Sequence, residues 1–203
     1  MIIKEIDKRI KSTKLEDICD LPIVVTVNKF TEESAKQFAE DMEKAENSYQ
    51  HIIPIVIDSY GGSVYSLLSM IDVIKNSKKI VATISLSKSM SCGAVLLTFG
   101  TEGYRFAGLN STVMIHEVSS MTFGKITEIK ADAAEADRLN NIIFSMMDKN
   151  CLKSDGYFKD IVHSKCHADW YLDSNECLKH NLINKIGLPK FKVKVSLDFS
   201  MES

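Results

Sequence analysis

The stretch KIVATISLSKSMSCGAVLL, residues 79–97, passes from a β-branched run to a nearly all-apolar run through a group of small residues. Lys79–Leu86 predicts a buried strand, and residues 91–99 predict a buried helix. Ser91 lies at the predicted start of that helix, where unpaired backbone N–H groups and the positive end of the helix dipole favour negative charge. Ser91 is therefore a candidate nucleophile.

Strand and helix patterns alternate upstream of this stretch. Leu21–Val27 predicts a strand, and Thr31 is a candidate N-cap for a helix with one apolar face. His51–Ile57 predicts a second strand, in which Pro54 favours an edge position or an irregular start. A turn at Asp58–Gly62 then precedes a further helical pattern, formed by Val64, Leu67, Leu68, Ile71 and Ile74. Such alternation is typical of an α/β fold with a parallel sheet buried between helices.

Downstream, Thr112–Ile115 predicts another strand, and His116 follows it directly. Apolar residues at three-to-four spacing then predict one long helix over residues 124–150, of the kind that projects from a domain or mediates assembly. Phe191–Phe199 alternates apolar and polar residues and predicts an added C-terminal amphipathic strand.

The predicted organisation is one main domain over residues 21–190. It is preceded by an N-terminal amphipathic arm or helix, residues 1–20, and followed by a C-terminal strand and tail, residues 191–203. A chain of 203 residues buries roughly 70% of its unfolded surface, so no disulfide or metal is needed for a core.

Composition excludes several classes of protein. The 25 basic and 27 acidic residues are interspersed and give a net charge of −2, so no basic stripe predicts nucleic-acid binding. The five cysteines are odd in number and lack C-x-x-C spacing, which favours a reducing compartment. Neither a signal peptide nor a membrane span is expected from the apolar runs. We therefore expect a cytoplasmic protein.

Three side chains form a candidate site for acyl transfer. A serine hydroxyl becomes a useful nucleophile when an imidazole accepts its proton and a carboxylate orients the imidazole. Ser91, His116 and Asp169 can fill these roles, and the backbone N–H groups of Gly62 and Cys92 are candidate oxyanion donors. Ser91 lacks the flanking G-x-S-x-G pattern, so composition and spacing alone make this a weak signal.

From residue 59 onward the sequence resembles the proteolytic subunit of the Clp protease, a member of the ClpP/crotonase superfamily. The segments that carry the resemblance are Ser59–Val64 with Asp72, Ser91–Leu97, Gly100–Phe106, Asn110–His116, Gly124–Ile129 and Asp169–Leu172 with Glu176. The resemblance implies an α/β superhelix of repeated βαβ and ββα units and a cofactor-independent serine endopeptidase. It also implies homo-oligomeric rings that enclose the active sites and act on polypeptides. It places Ser91, His116 and Asp169 on the catalytic triad, and Gly62 and Cys92 on the oxyanion hole.

Several positions depart from the family pattern. Tyr60 replaces the usual proline before the two glycines, Cys92 replaces a methionine, and Glu117-Val118 replaces Gln-Pro. The N-terminal segment does not match the family's axial loop, which leaves a partnership with an ATP-dependent unfoldase open. Three alternatives remain: an inactive assembly subunit, a phage capsid-maturation type of protease that works without an ATPase, and acyl-CoA chemistry of the crotonase type.

Other residues compete for the site. Ser89 could replace Ser91 only with a two-residue gap in the resemblance, and Lys88 or Lys125 could act as a base only if desolvation lowered its pKa. The remaining histidines are expected to be solvated: His51, His163, His167 and His180. Asp173 is better explained as a helix N-cap. Cys166 lies near two of these histidines, but the spacing fits no closed metal site, so no metal or cofactor is predicted.

Overall fold

The computed structural model describes residues 22–119, 123–165 and 168–190. The elements run in the order β1 (Val25–Val27), α1 (Glu32–Asn47), β2 (Ile52–Ser59), α2 (Val64–Asn76), β3 (Ile80–Met90), α3 (Cys92–Leu97), β4 (Arg105–Ala107), β5 (Thr112–Ile115), α4 (Ile126–Asn150), α5 (Tyr157–Ser164), β6 (Trp170–Leu172), α6 (Ser174–Lys179) and β7 (Lys185–Ile186). The predicted N-terminal arm and the predicted strand Phe191–Phe199 lie outside the described residues.

The strands form one mostly parallel sheet in the order β1-β2-β3-β4-β7, and β5 pairs with β3 as well. The 11-residue strand β3 organises the sheet. Thr83–Ser85 of β3 pair with β4, and Lys88–Met90 pair with β5, while β2 pairs along the other edge of β3. Only β6 runs antiparallel within the described part of the sheet, and it pairs with β5. The predicted α/β class is confirmed.

The helices begin where the sequence supplies caps. The hydroxyl of Thr31 accepts the backbone N–H of Ser34, and the predicted N-cap of α1 is confirmed. The apolar face of α1 packs into the main core through Ala35, Phe38, Met42 and Ala45. Because helices cover it, the middle of β2 is buried almost continuously rather than in alternation.

The edge position predicted from Pro54 is wrong, because β2 lies between β1 and β3. Proline is tolerated there because β1 begins to pair only at Val25, opposite Ile55, so on that side Pro54 faces no ladder partner. The Gln50 side chain replaces the ladder at this point. It accepts the N–H of Ile23 at 2.8 Å and donates to its carbonyl oxygen at 3.1 Å.

The predicted long helix is confirmed as α4, but its two halves differ. From Leu139 onward its apolar side chains are buried in the core. Residues 126–134 are all exposed, and Ile126 retains 72% of its accessible surface. The first part of α4 therefore extends beyond the core.

Residues Pro22–Leu188 form one compact unit. The domain limits near residues 20 and 190 stay predictions. Within the described ranges, no helix combines the length and the apolar character needed to cross a bilayer.

Candidate active site

Ser91 occupies a sharp turn between β3 and α3. Its backbone has φ +54° and ψ −120°, a conformation that residues other than glycine rarely adopt. Three backbone hydrogen bonds hold it: the Ser91 N–H donates to the carbonyl oxygen of Met114 at 2.8 Å, and the Ser91 carbonyl oxygen accepts the N–H groups of Ala94 at 2.9 Å and Val95 at 3.2 Å. The side chain makes no capping hydrogen bond to the helix it precedes. Such strain persists where the surrounding structure imposes it, and it clusters at functional sites.

The register between β3 and β5 brings His116 to Ser91. Met90 pairs with Met114 in parallel, so Ser91 lies level with Ile115 and His116 follows one residue later. Nε2 of His116 lies 2.8 Å from Oγ of Ser91. In the tautomer with its proton on Nδ1, the imidazole accepts the serine hydroxyl proton at Nε2.

The register between β5 and β6 brings Asp169 to His116. Ile115 pairs with Trp170 in an antiparallel ladder, so the residue after Ile115 lies opposite the residue before Trp170. Oδ1 of Asp169 lies 3.4 Å from Nδ1 of His116, and the Asp169 side chain is 48% exposed. The three predicted catalytic residues therefore meet, with the imidazole between the hydroxyl and the carboxylate.

Two glycines form the wall beside the serine. Gly61 and Gly62 have φ angles of +108° and +148°. A Cβ on Gly61 would lie 2.8 Å from Cβ of Ser91, and a Cβ on Gly62 would overlap the carbonyl oxygen of Phe30. Both positions therefore favour glycine, and at Gly61 the lack of a side chain lets the turn approach Ser91 closely.

Cys92, the other candidate oxyanion donor, is the first residue of α3, where a backbone N–H has no partner within the helix. Its thiol donates to the carbonyl oxygen of Gly62 at 3.2 Å, which links the two candidate donors. Burial raises the pKa of the Cys92 thiol, with partial compensation by hydrogen bonding at Gly62. The thiol is therefore protonated at neutral pH and does not compete with Ser91 as a nucleophile.

A cavity of about 70 Å³ opens beside Ser91 and His116. Polar and apolar groups contribute about equally to its surface, and α2, α3 and α4 supply apolar lining residues: Val64, Leu67, Ala94, Val95, Ile143, Phe144 and Met147. Asn140 is a polar residue of the wall, and its Oδ1 accepts the backbone N–H of Val118 at 2.7 Å. Asn140 was not among the site residues predicted from the sequence.

The competing candidates lie in other environments. Ser89 is fully buried, and its hydroxyl donates to Oγ of Ser85 at 2.7 Å. Lys88 binds Asp58 at 2.8 Å, and this hydrogen bond raises the pKa of Lys88, whereas a lysine base needs a lowered pKa. Lys125 is exposed at the start of α4.

The other histidines do not share one environment. His51 is exposed, and Nε2 of His163 lies 3.2 Å from a Glu117 carboxylate oxygen. His167 and Cys166 lie outside the described residues. Asp173 is the N-cap of α6, as predicted. In the part of the chain that the structure describes, no three His, Cys, Asp or Glu side chains are grouped to hold a metal.

The prediction that His180 is solvated is wrong. Its ring meets Trp170 edge-on at 4.9 Å, and its Nδ1 lies 2.8 Å from Oη of Tyr157. Trp170 belongs to β6, the strand that positions Asp169. The sequence lacked a signal for this contact, because it forms between separate elements.

Burial lowers the pKa of His180 below its usual value of 6.5, and the charges of Lys153 and Lys179 act in the same direction. The unfolded chain therefore binds a proton here at a higher pH than the folded chain does. The folded protein favours the neutral form of His180. We therefore expect the contribution of His180 to the free energy of unfolding to be complete above pH 6.5 and to be lost as the pH falls below this value. Thermal unfolding midpoints measured from about pH 7.5 to about pH 5 check this.

The matched control is His180→Gln, which removes the titrating group and keeps a polar side chain. Its unfolding midpoint should depend less on pH over this interval than that of the unmodified protein. Equal slopes for the two proteins would contradict the role assigned to His180.

Comparison with known families adds one finding. The family model described as Clp protease matches residues 8–190. The matched range includes Ser91, His116 and Asp169.

Proposed function

Because the chain belongs to the Clp protease family, whose members are serine peptidases, we propose that it is an endopeptidase that uses Ser91, His116 and Asp169 as its catalytic triad. The proposed substrates are unfolded or extended polypeptides. The observation that carries the proposal is the 2.8 Å distance between Oγ of Ser91 and Nε2 of His116. Apo enzymes often hold such pairs less closely.

The reaction follows from this geometry. As Oγ of Ser91 attacks the peptide carbonyl carbon, Nε2 of His116 takes the hydroxyl proton and later gives it to the leaving amine. A water molecule then hydrolyses the acyl-enzyme, with His116 again acting as the base. Asp169 holds the proton on Nδ1 and stabilises the imidazolium.

We assign the oxyanion hole to the N–H groups of Gly62 and Cys92. Both residues line the cavity that contains Ser91, and the N–H of Cys92 lies at the positive end of α3. The apolar part of the cavity suits one apolar side chain of the substrate, next to the bond that is cut.

We further propose that the protein works as a homo-oligomeric ring in the cytoplasm. Phe123, Ile126 and Ile129 are exposed at the start of α4, and contact with another copy would bury them. A ring would also restrict access to the triad, in which the Asp169 side chain is half-exposed. Light scattering should give a particle of several subunits, and a monomer would contradict this part of the proposal.

Active-site labelling tests the proposal as a whole. A fluorophosphonate forms a bond only with an activated serine hydroxyl, so the native protein should be labelled at one serine. Peptide mapping by mass spectrometry should place the label on Ser91. A label on Ser89 would contradict the assignment, and an unlabelled protein would support the alternative of an inactive assembly subunit.

A further inference from the structure

The chain leaves the sheet directly after the proposed base. The ladder between β5 and β6 ends at Ile115, and residues 116–119 belong to neither a helix nor a strand. His116 is therefore the first residue after the strand. Its ring position depends on how the following residues are held.

A side chain of α4 holds this segment. The N–H of Val118 donates to Oδ1 of Asn140 at 2.7 Å, which is short for an amide hydrogen bond. The acceptor has to be the oxygen of the carboxamide, because the partner is an N–H donor. The bond joins the residue two positions after His116 to a residue 22 positions further along the chain.

The helix that supplies the acceptor is rigidly packed at this point. Leu139, Ile143 and Phe144 are buried in the core on the same stretch of α4. The backbone of Asn140 thus has a fixed position relative to the core, unlike the exposed residues 126–134 of the same helix. A fixed acceptor sets the position of the segment that donates to it.

The bond lies in partly buried surroundings. Val118 is half-buried, and Val118 and Asn140 both line the cavity beside Ser91, to which Ile143 and Phe144 contribute apolar surface. Loss of the acceptor would leave a partly buried backbone N–H without its protein partner, which is unfavourable. The proline expected at position 118 from the resemblance would have no backbone N–H. Valine has one, and Oδ1 of Asn140 accepts it.

Asp169 alone does not fix the imidazole tightly. Its carboxylate is half-exposed, and its nearer oxygen lies 3.4 Å from Nδ1 of His116. From these contacts we infer that Asn140 is a positioning residue, which holds the segment after His116 so that Nε2 stays within reach of Oγ of Ser91. The inference rests on the proposed function.

Substitution of Asn140 by leucine tests the inference. Asn140→Leu removes the acceptor, keeps a similar size and favours the helix. We expect kcat per labelled active site to fall about 10- to 100-fold, because a displacement of about 1 Å in a catalytic group costs up to about 100-fold. KM for a fluorogenic peptide should change less than kcat does, because the bond to Val118 positions His116, whereas Asn140 is only one of the residues that line the substrate cavity.

Two variants separate positioning from a general defect. Asn140→Asp keeps an oxygen acceptor and should recover most of the loss. Asn141→Leu makes the same change one residue later, where the side chain is exposed and contacts Asp137 and Lys159 at the surface; it should retain kcat. If Asn140→Leu does not fold, Asn140→Ser replaces it, since its hydroxyl is too short to reach Val118.

Activities are divided by the fraction of protein that fluorophosphonate titrates, so that a loss of folded enzyme does not lower kcat. Normal kcat in Asn140→Leu would overturn the inference and leave the proposed function intact. Equal losses in the leucine and aspartate variants would also overturn it. An unmodified protein that neither labels nor cleaves peptide would instead refute the proposed function, and the positioning role with it.

Discussion

Substitution of Ser91 by alanine is expected to lower peptide turnover by about 10⁴- to 10⁶-fold. Without Oγ no acyl-enzyme can form, and His116 is left with no hydroxyl to deprotonate. Residual activity would come only from binding and from the oxyanion donors acting on water. The measurement is kcat/KM on a fluorogenic peptide, compared with the unmodified protein.

The structure predicts that this variant folds and assembles normally. The contacts that hold the turn come from the Ser91 backbone, and alanine keeps its donation to Met114 and its acceptance from Ala94. Thermal unfolding and light scattering should therefore match the unmodified protein. Ser89→Ala is the matched control, since that hydroxyl is buried against Ser85, and it should retain turnover. Turnover within about tenfold of normal in Ser91→Ala would rule out serine catalysis at this position.

Three residues of the candidate site could be selected from the sequence because each follows an apolar strand, and the resemblance to the Clp protease subunit then suggested their roles. Gly62 follows β2, Ser91 follows β3, and His116 follows β5. Parallel strands place their carboxyl ends at one edge of a sheet, so residues far apart in sequence meet there. The long helix α4 could also be predicted, from the three-to-four spacing of its apolar residues.

The contacts that complete the site could not be predicted in this way. β6 has three residues, too few for a periodic pattern, yet its antiparallel register is what sets Asp169 beside His116. The positive φ of Ser91 is imposed by the strand and helix around it, and serine has no preference for that conformation. The one local signal for Asn140 was Val118, whose N–H needs an acceptor that the sequence does not identify.

Tyr60, which replaces the proline usual in the family, contacts a neighbouring side chain. Its ring lies 4.7 Å from Nζ of Lys88, which in turn binds Asp58. Proline would restrain the backbone before Gly61 covalently, whereas this chain places a cation–π contact and an ion pair around the same turn. The glycine turn can therefore keep its place beside Ser91 without proline.

Replacement of Asp169 by asparagine should lower kcat by about 10³-fold. An orienting aspartate in a Ser-His-Asp triad contributes about 10⁴-fold, because asparagine favours the wrong imidazole tautomer and cannot stabilise the imidazolium. The effect should be smaller here, since the carboxylate is half-exposed and its contact with Nδ1 is 3.4 Å. Water and the Asn140 contact then supply part of the orientation.

Asp173→Asn provides the matched control for this change on the same segment. Asp173 caps α6 through the N–H groups of Asn175 and Glu176, and asparagine is an equally good cap, so this variant should keep its activity. Stopped assays normalised by fluorophosphonate titration give kcat for both variants. If Asp169→Asn stays within about tenfold of the unmodified protein, the carboxylate is not the orienting group. The double variant Asp169→Asn/Asn140→Leu then decides whether Asn140 alone orients His116, because two residues acting on one imidazole should show non-additive losses.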